Sequence, residues 1–333
     1  MNPQPLADNA PALFFAVDTL ARFASSLQIL AFFVLLLPLS LALGKRLGMP
    51  GSSVRLKPWA LVILCVCLLV FAGVAAVLVV HPVLMVDLDR HFLVTLAQNQ
   101  VAWTNITFAA ITRLADTVTL TLLTTGVALA LVLSALRKVR TLRWYAHRQG
   151  VLALGWVLAV VGNTMLNPTL KAIFHRARPL HENVTVFAQG LSFPSGHTSG
   201  AVVAYGMLAF VLIRWLQNRE KCMADSAATV LAQPFDPGTA KGDWGKQNSW
   251  KSRYGTGKKA DWSFMLVYLA LLIAWNVGWS RLVLQVHFRS DVLAGFVSGI
   301  AWLTVSILTT DALLRRWGAM PPPPPFQPVR DES

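Results

Sequence analysis

Three short stretches of this chain carry residue types that handle phosphate. The first is K-A-I-F-H-R-A-R-P, residues 171–179, where Lys171, His175, Arg176 and Arg178 precede the first carboxylate, Glu182. Lys171 and Arg178 are seven residues apart, so on a helix they share one face, two turns apart. Pro179 is expected to stop a helix there. A planar guanidinium fork beside a mobile ammonium suits a tetrahedral anion, although cations snorkelling at a membrane interface would leave the same trace. The second stretch is F-P-S-G-H-T, residues 193–198. Pro194 and Gly196 suit the first turn of a helix whose unpaired N–H groups bind anions. Ser195 adds a hydroxyl, and His197 is a group able to protonate a leaving oxygen near neutral pH. The plainer alternative is a serine-type cap with an incidental histidine. The third stretch holds Ser280, Arg281, His287 and Asp291. His287 and Asp291 are four apart and face the same way on a helix. Asp291 can take the hydrogen of one ring nitrogen and leave the other as a nucleophile, with Arg281 to neutralise charge during attack. A structural histidine–aspartate pair is the alternative.

The elements that must carry these residues are apolar. The chain has 333 residues, 55% hydrophobic and 13% charged, against about a quarter charged in soluble domains. Seven stretches are long enough to span a bilayer: 24–44, 58–80, 118–136, 150–170, 198–216, 263–280 and 291–314. Asp18 and Arg22 interrupt the apolar approach to the first. The net charge of +14 falls between the spans, as the positive-inside rule produces. Basic clusters follow the first, third, fifth and seventh spans, so all four can lie on the cytoplasmic side. The three chemistry-bearing stretches then fall on the outer side. No aromatic residues interleave with the basic ones as they do for stacking bases, which argues against nucleic acid.

Segment 81–117 is too polar to span, but Phe92, Leu93 and Leu96, then Phe108, Ile111 and Leu114, recur at helical spacing. Two amphipathic helices on the outer surface are expected, packed over the bundle rather than gating a substrate. In that segment Arg113 and Asp116 are expected to form an internal ion pair or to lie at the surface. Segment 217–261 is expected to be a flexible cytoplasmic loop, with a minor possibility that its lysines meet lipid headgroups. Pro321–Pro325 should adopt polyproline II in a disordered tail, 315–333. Cys65 and Cys67 read as small hydrophobes within a span, Cys222 lies in a polar stretch, and no disulfide or zinc pattern is formed. The beginning of the chain lacks a cleavable leader pattern.

In order, the three stretches read K-x6-RP, PSGH and SR-x5-H-x3-D. This set resembles the type 2 phosphatidic acid phosphatase superfamily, the membrane lipid phosphate phosphatases, and the likeness covers about 58–314. It implies an all-α integral membrane fold with a six-helix core over 58–314; the added helix expected within an N-terminal extension, 1–57, and the long 217–261 loop depart from that core. It implies dephosphorylation of a membrane lipid phosphate or diphosphate (undecaprenyl diphosphate, phosphatidylglycerophosphate, phosphatidate or lipid A type) in a bacterial inner membrane, with the site facing the exterior. Lys171, Arg178 and Arg281 would bind phosphate oxygens, helped by Ser195 and the Gly196 N–H. His287 would attack phosphorus to form a phosphohistidine, Asp291 would orient it, and His197 would protonate the leaving group. The resemblance implies no metal and no other cofactor, and no carboxylate cluster lies beside the motifs to hold magnesium. His175 and Arg176 are weaker candidates for lining the entrance, as His181 and Glu182 are for meeting a polar headgroup. Two alternatives stay open: a lipid-to-lipid phosphotransferase using the same residues, and a catalytically silent transporter or scaffold. Haloperoxidases that share these motifs are soluble, and this chain is not. The expected partners are the lipid substrate and bilayer lipids; protein partners are left open.

Overall fold

The computed structural model describes residues 56–99, 102–138, 143–179, 189–231 and 262–318. The expected span at 24–44, His181, Glu182, segment 232–261 and Pro321–Pro325 lie outside the described residues. Those described form helices and connections, with no strand among them. The helices are α1 (Leu56–Val80), α2 (Pro82–Gln98), α3 (Ala102–Thr112), α4 (Thr117–Lys138), α5 (Arg143–Phe174), α6 (Gly196–Leu231), α7 (Trp262–Val283) and α8 (Arg289–Gly318). A 3-10 turn, Arg113–Ala115, joins α3 to α4.

Six of these helices, all but α2 and α3, are long and apolar enough to cross a membrane. The 25 residues of α1 make a rod of about 37 Å, against a hydrocarbon core of about 30 Å. The chain is an all-helical integral membrane protein. α6 and α8 form the centre: α6 packs on α5, α7 and α8, and α8 also packs on α1 and α5, while α4 lies against α5. Val151, Leu152 and Trp156 of α5 meet Val203, Met207 and Val211 of α6, Leu131 of α4 and Leu314 of α8 in the main buried cluster. Where Trp rings enter the bundle, their N–H groups find carbonyls: Trp156 Nε1 donates to Thr124 O at 3.0 Å and Trp302 Nε1 to Ala159 O at 2.8 Å. Between α1, α5 and α8 a cavity of about 330 Å³ is lined by apolar side chains, among them Phe71, Leu166, Leu170 and Val305.

α2 and α3 are the two amphipathic helices expected over 81–117. Leu88, Phe92, Leu93 and Leu96 of α2 pack against Leu282, Phe288 and Val292, and α3 lies along α7. They are packed over the bundle at the end that carries the three motifs. Two expectations are corrected. α6 continues through Leu231, so residues 217–231 are helix rather than loop. α8 runs to Gly318, beyond the expected end at 314.

The α6–α8 contact is set by glycine. A Cβ on Gly295 would lie 2.7 Å from the Ser195 carbonyl oxygen, and one on Gly299 would lie 3.0 Å from the Ser199 Cα. These glycines are four apart in G-F-V-S-G, the spacing that lets two membrane helices approach backbone to backbone. The start of α6 is thereby pressed onto the start of α8.

Candidate active site

Every candidate residue of the three motifs lies at one end of the bundle. Lys171 is at the end of α5, Arg178 follows it, Ser195 to His197 begin α6, Arg281 closes α7, and His287 and Asp291 sit at the start of α8. The opposite helix ends carry Arg137, Lys138, Arg143 and Arg315.

Backbone bonds tie the motifs together. Ser192 N donates to Arg176 O at 2.8 Å, and Ser192 Oγ to Ala177 O at 2.9 Å. Ser195 N donates to Asp291 O at 2.9 Å. Gly196 opens α6 beside Asn167, whose side-chain oxygen would be 2.9 Å from a Cβ at that position. The first-turn N–H groups of a helix have no partner within it, which suits them to an anion. Ser195 is fully buried and its Oγ accepts a bond from Thr198 Oγ1 at 2.9 Å.

Lys171 and Arg178 do not share a helical face. α5 ends at Phe174, His175 takes a φ of 46°, and the chain runs on without helix through Arg178. The two cations still converge: Lys171 Nζ donates to the carbonyls of Leu191 and Ser192, and Arg178 Nε donates to those of Gln189 and Gly190. Arg178 Nη1 also donates to Val286 O at 2.8 Å. Arg281 is 2% exposed, and its Nη1 donates to Thr112 Oγ1 at 2.7 Å.

His287 is 1% exposed. Its Nε2 lies 3.0 Å from Arg178 Nη1 and its Nδ1 lies 3.4 Å from Asp291 Oδ2. An arginine nitrogen can only donate, so Nε2 presents its lone pair to Arg178 and the ring hydrogen sits on Nδ1, facing Asp291. Burial holds the imidazole well below its usual 6.5, and the cations Arg281, Arg178 and Lys171 act in the same direction. The ring is therefore neutral at physiological pH, with the Nε2 lone pair among cations. Asp291 is fully buried, and its Oδ2 also accepts a bond from Phe288 N at 2.9 Å.

His197 is half-buried. Its Nε2 lies 2.8 Å from Asp116 Oδ1, so the carboxylate holds a proton on that nitrogen. Of the two alternatives for Arg113 and Asp116, the surface one holds for Arg113, which is exposed, while Asp116, at the end of the 3-10 turn, turns its side chain onto His197. Arg176 is also corrected. It does not line an entrance but is 7% exposed, with Nη1 2.8 Å from Asp291 Oδ1 and Nη2 2.8 Å from Asp89 Oδ2. Asp89, Thr112 and the Gly295–Gly299 pair went unread in the sequence. Asp89 had a visible signal: it is a carboxylate on the apolar stripe of α2, three, four and seven residues before Phe92, Leu93 and Leu96. Among the described residues no three His, Cys, Asp or Glu side chains converge to hold a metal ion.

The cluster sets Lys171, Arg176, Arg178, Arg281 and Arg289 against Asp89, Asp116 and Asp291, so cations are in excess around a neutral imidazole. Residues 150–315 match the family model described as the PAP2 superfamily. Phosphatidylglycerophosphatase B of Bacillus subtilis (strain 168) is 30% identical over 145 residues, which cover 43% of this chain and 51% of that protein. The chain thus matches that relative over about half of its length. A solved structure, described as the first transmembrane PAP2 type phosphatidylglycerolphosphate phosphatase from Bacillus subtilis, aligns with a TM-score of 0.53 at 22% identity, covering 75% of this chain and 96% of that one. At that identity the likeness speaks for the fold. With the K-x6-RP, PSGH and SR-x5-H-x3-D residues gathered at one end of such a bundle, the chain belongs to the PAP2 superfamily.

Proposed function

We propose that this protein is a lipid phosphate phosphatase working through a phosphohistidine on His287. The observation that carries the reading is the ring geometry of His287: Nδ1–H toward Asp291, and the Nε2 lone pair toward the cations. In the first step Nε2 attacks phosphorus and the P–O bond to the lipid breaks. His197, as the imidazolium with its Nε2–H held on Asp116, gives its Nδ1 proton to the departing oxygen, while Lys171, Arg178, Arg281, Ser195 and the Gly196 N–H hold the phosphoryl oxygens. In the second step water attacks phosphorus, His197 takes its proton, and the P–N electron pair returns to His287. No step needs a metal, because the cations answer the charge that metal ions balance in other phosphoryl-transfer enzymes.

A lipid substrate is supported by the position of these groups at the ends of spanning helices. The apolar cavity between α1, α5 and α8 offers room for an acyl or isoprenoid chain. The name of the Bacillus relative puts phosphatidylglycerophosphate first among the candidates; phosphatidate, undecaprenyl diphosphate and lipid A phosphates follow. The site faces the exterior, or the periplasm in a bacterial inner membrane, because the basic helix ends lie opposite it.

The test is phosphate release in detergent with EDTA, across those lipids, for wild type and His287→Ala. The expected result is release from at least one lipid that falls to background in the variant. Release that survives in folded His287→Ala would overturn the nucleophile, and release that EDTA abolishes would overturn metal independence.

A further inference from the structure

Arg176 belongs to the K-x6-RP segment, yet it differs from the phosphate-facing cations on either side of it. Its side chain is 6% exposed, and both terminal nitrogens are committed to protein oxygens. Nη1 bonds Asp291 Oδ1 at 2.8 Å and Ser290 Oγ at 2.6 Å, and Nη2 bonds Asp89 Oδ2 at 2.8 Å. The guanidinium also lies 4.3 Å above the ring of Phe288. Asp89 is fully buried on α2, the helix that lies over the end of the bundle. Besides Arg176 it takes the Ser290 hydroxyl, the Ser290 N–H at 3.3 Å and Arg289 Nε at 3.2 Å. Its two oxygens thus grip the first turn of α8, next to Asp291.

The division of labour at Asp291 follows. Oδ1 is taken by Arg176, while Oδ2 takes the Phe288 N–H and faces His287 Nδ1. A carboxylate held at only one oxygen can rotate; held at both, it keeps Oδ2 on the imidazole. Removing Arg176 would also leave a charge in the interior without its cation, a state that proteins relieve by taking up a proton or by moving.

We infer that Arg176 and Asp89 are positioning residues, a buried bridge from the outer helix α2 that aims Asp291 at His287 and so sets the tautomer of the nucleophile. The inference rests on the proposed role of His287. It separates Arg176 from Lys171, Arg178 and Arg281: those bind phosphate, and Arg176 does not touch it.

The experiment compares Arg176→Gln, Arg176→Lys and Asp89→Asn with Arg178→Ala. Each is purified in detergent and checked for a wild-type melting transition. The readouts are kcat and KM on the lipid that the wild type turns over fastest, and Ki for inorganic phosphate. Arg176→Gln and Asp89→Asn are expected to lose about a hundredfold in kcat, the scale set by a misplaced catalytic group. KM and the phosphate Ki should stay within about threefold of wild type, because the binding cations are intact. Arg176→Lys keeps the charge but reaches fewer of the oxygens, and should recover part of the loss. Arg178→Ala should show the opposite split, with KM and Ki rising most. A bridge serving only folding would lower the melting transition and leave kcat of the folded fraction unchanged, which overturns the inference. So would a rise in Ki with kcat preserved, since Arg176 would then be a phosphate ligand. If Arg176→Gln does not fold, Asp89→Asn carries the test, because it keeps the shape of the side chain while removing the charge that holds Arg176 over Asp291. Full activity in His287→Ala would instead remove the reading on which the bridge depends.

Discussion

At the residue scale, the proposed chemistry hangs on one imidazole. His287 lies deep among cations, so its protonated form is disfavoured in the folded protein and it stays neutral well below the usual 6.5. Two consequences for pH follow. The acid limb of turnover should not fall at 6.5, since the nucleophile has no proton to lose there. Stability should behave differently. Below about 6.5 the unfolded chain binds a proton at this position that the folded chain refuses, so unfolding becomes easier as the pH drops, and above 6.5 the effect vanishes. Melting of wild type against His287→Gln in detergent, from pH 8 down to 5, is expected to show the wild type losing stability faster on the acid side. Parallel curves would contradict this. The motif residues were legible because phosphate chemistry needs particular side chains a few residues apart: Lys171, Arg178, Ser195, His197, Arg281, His287 and Asp291 all come to one end of the bundle. Asp89 and Asp116 were not legible as partners. They reach Arg176 and His197 from 87 and 81 residues away, and no local spacing announces that. Arg176 was not legible as a buried bridge for the same reason: its neighbours in sequence are the cations of the motif, while its neighbours in space are carboxylates.

At the element scale, helix periodicity and length gave six of the spans and both outer helices, because apolar surface must be buried or face lipid wherever it occurs. Helix ends were read less well. α5 stops at Phe174, short of Pro179, and α6 carries on to Leu231 through residues too polar to be read as a span. The contact between α6 and α8 depends on Gly295, where any side chain would meet the Ser195 carbonyl and the Thr198 Cβ at 2.7 and 2.9 Å. Those atoms are backbone and the base of a buried side chain, so they cannot swing aside. Gly295→Ala should therefore destabilise the protein by about 1–3 kcal/mol, the usual range for overpacking. It should also lower turnover, because the strain falls on the turn that carries Ser195, Gly196 and His197. A melting temperature and kcat both equal to wild type would show that the two helices have slack. Gly73, with nothing within 4 Å of an added Cβ, is the matched control for which neither should change.

At the scale of the whole molecule, the bundle is polar at two ends for different reasons. One end holds the cations and carboxylates of the site beneath α2 and α3; the other holds arginines and lysines spread over helix termini. Under the proposed orientation, which follows the positive-inside rule, α2 lies outside. Gln98, exposed near the end of α2, makes this testable. With Cys65, Cys67 and Cys222 replaced by alanine, Gln98→Cys in intact cells is expected to react with a membrane-impermeant maleimide, and Arg137→Cys only after the membrane is opened. The reverse pattern would invert the protein and move the site to the cytoplasmic leaflet.

The commitment of His287 Nδ1 to Asp291 leaves one nitrogen and one direction for bond-making. That has a stereochemical outcome. In the proposed mechanism, passage of the phosphoryl group onto Nε2 would invert configuration at phosphorus, and its release from the same nitrogen would invert it again. A phosphate made chiral with oxygen isotopes and sulfur would leave with the handedness it brought, whether the acceptor is water or the hydroxyl of a second lipid. A single direct displacement by water would leave the mirror image.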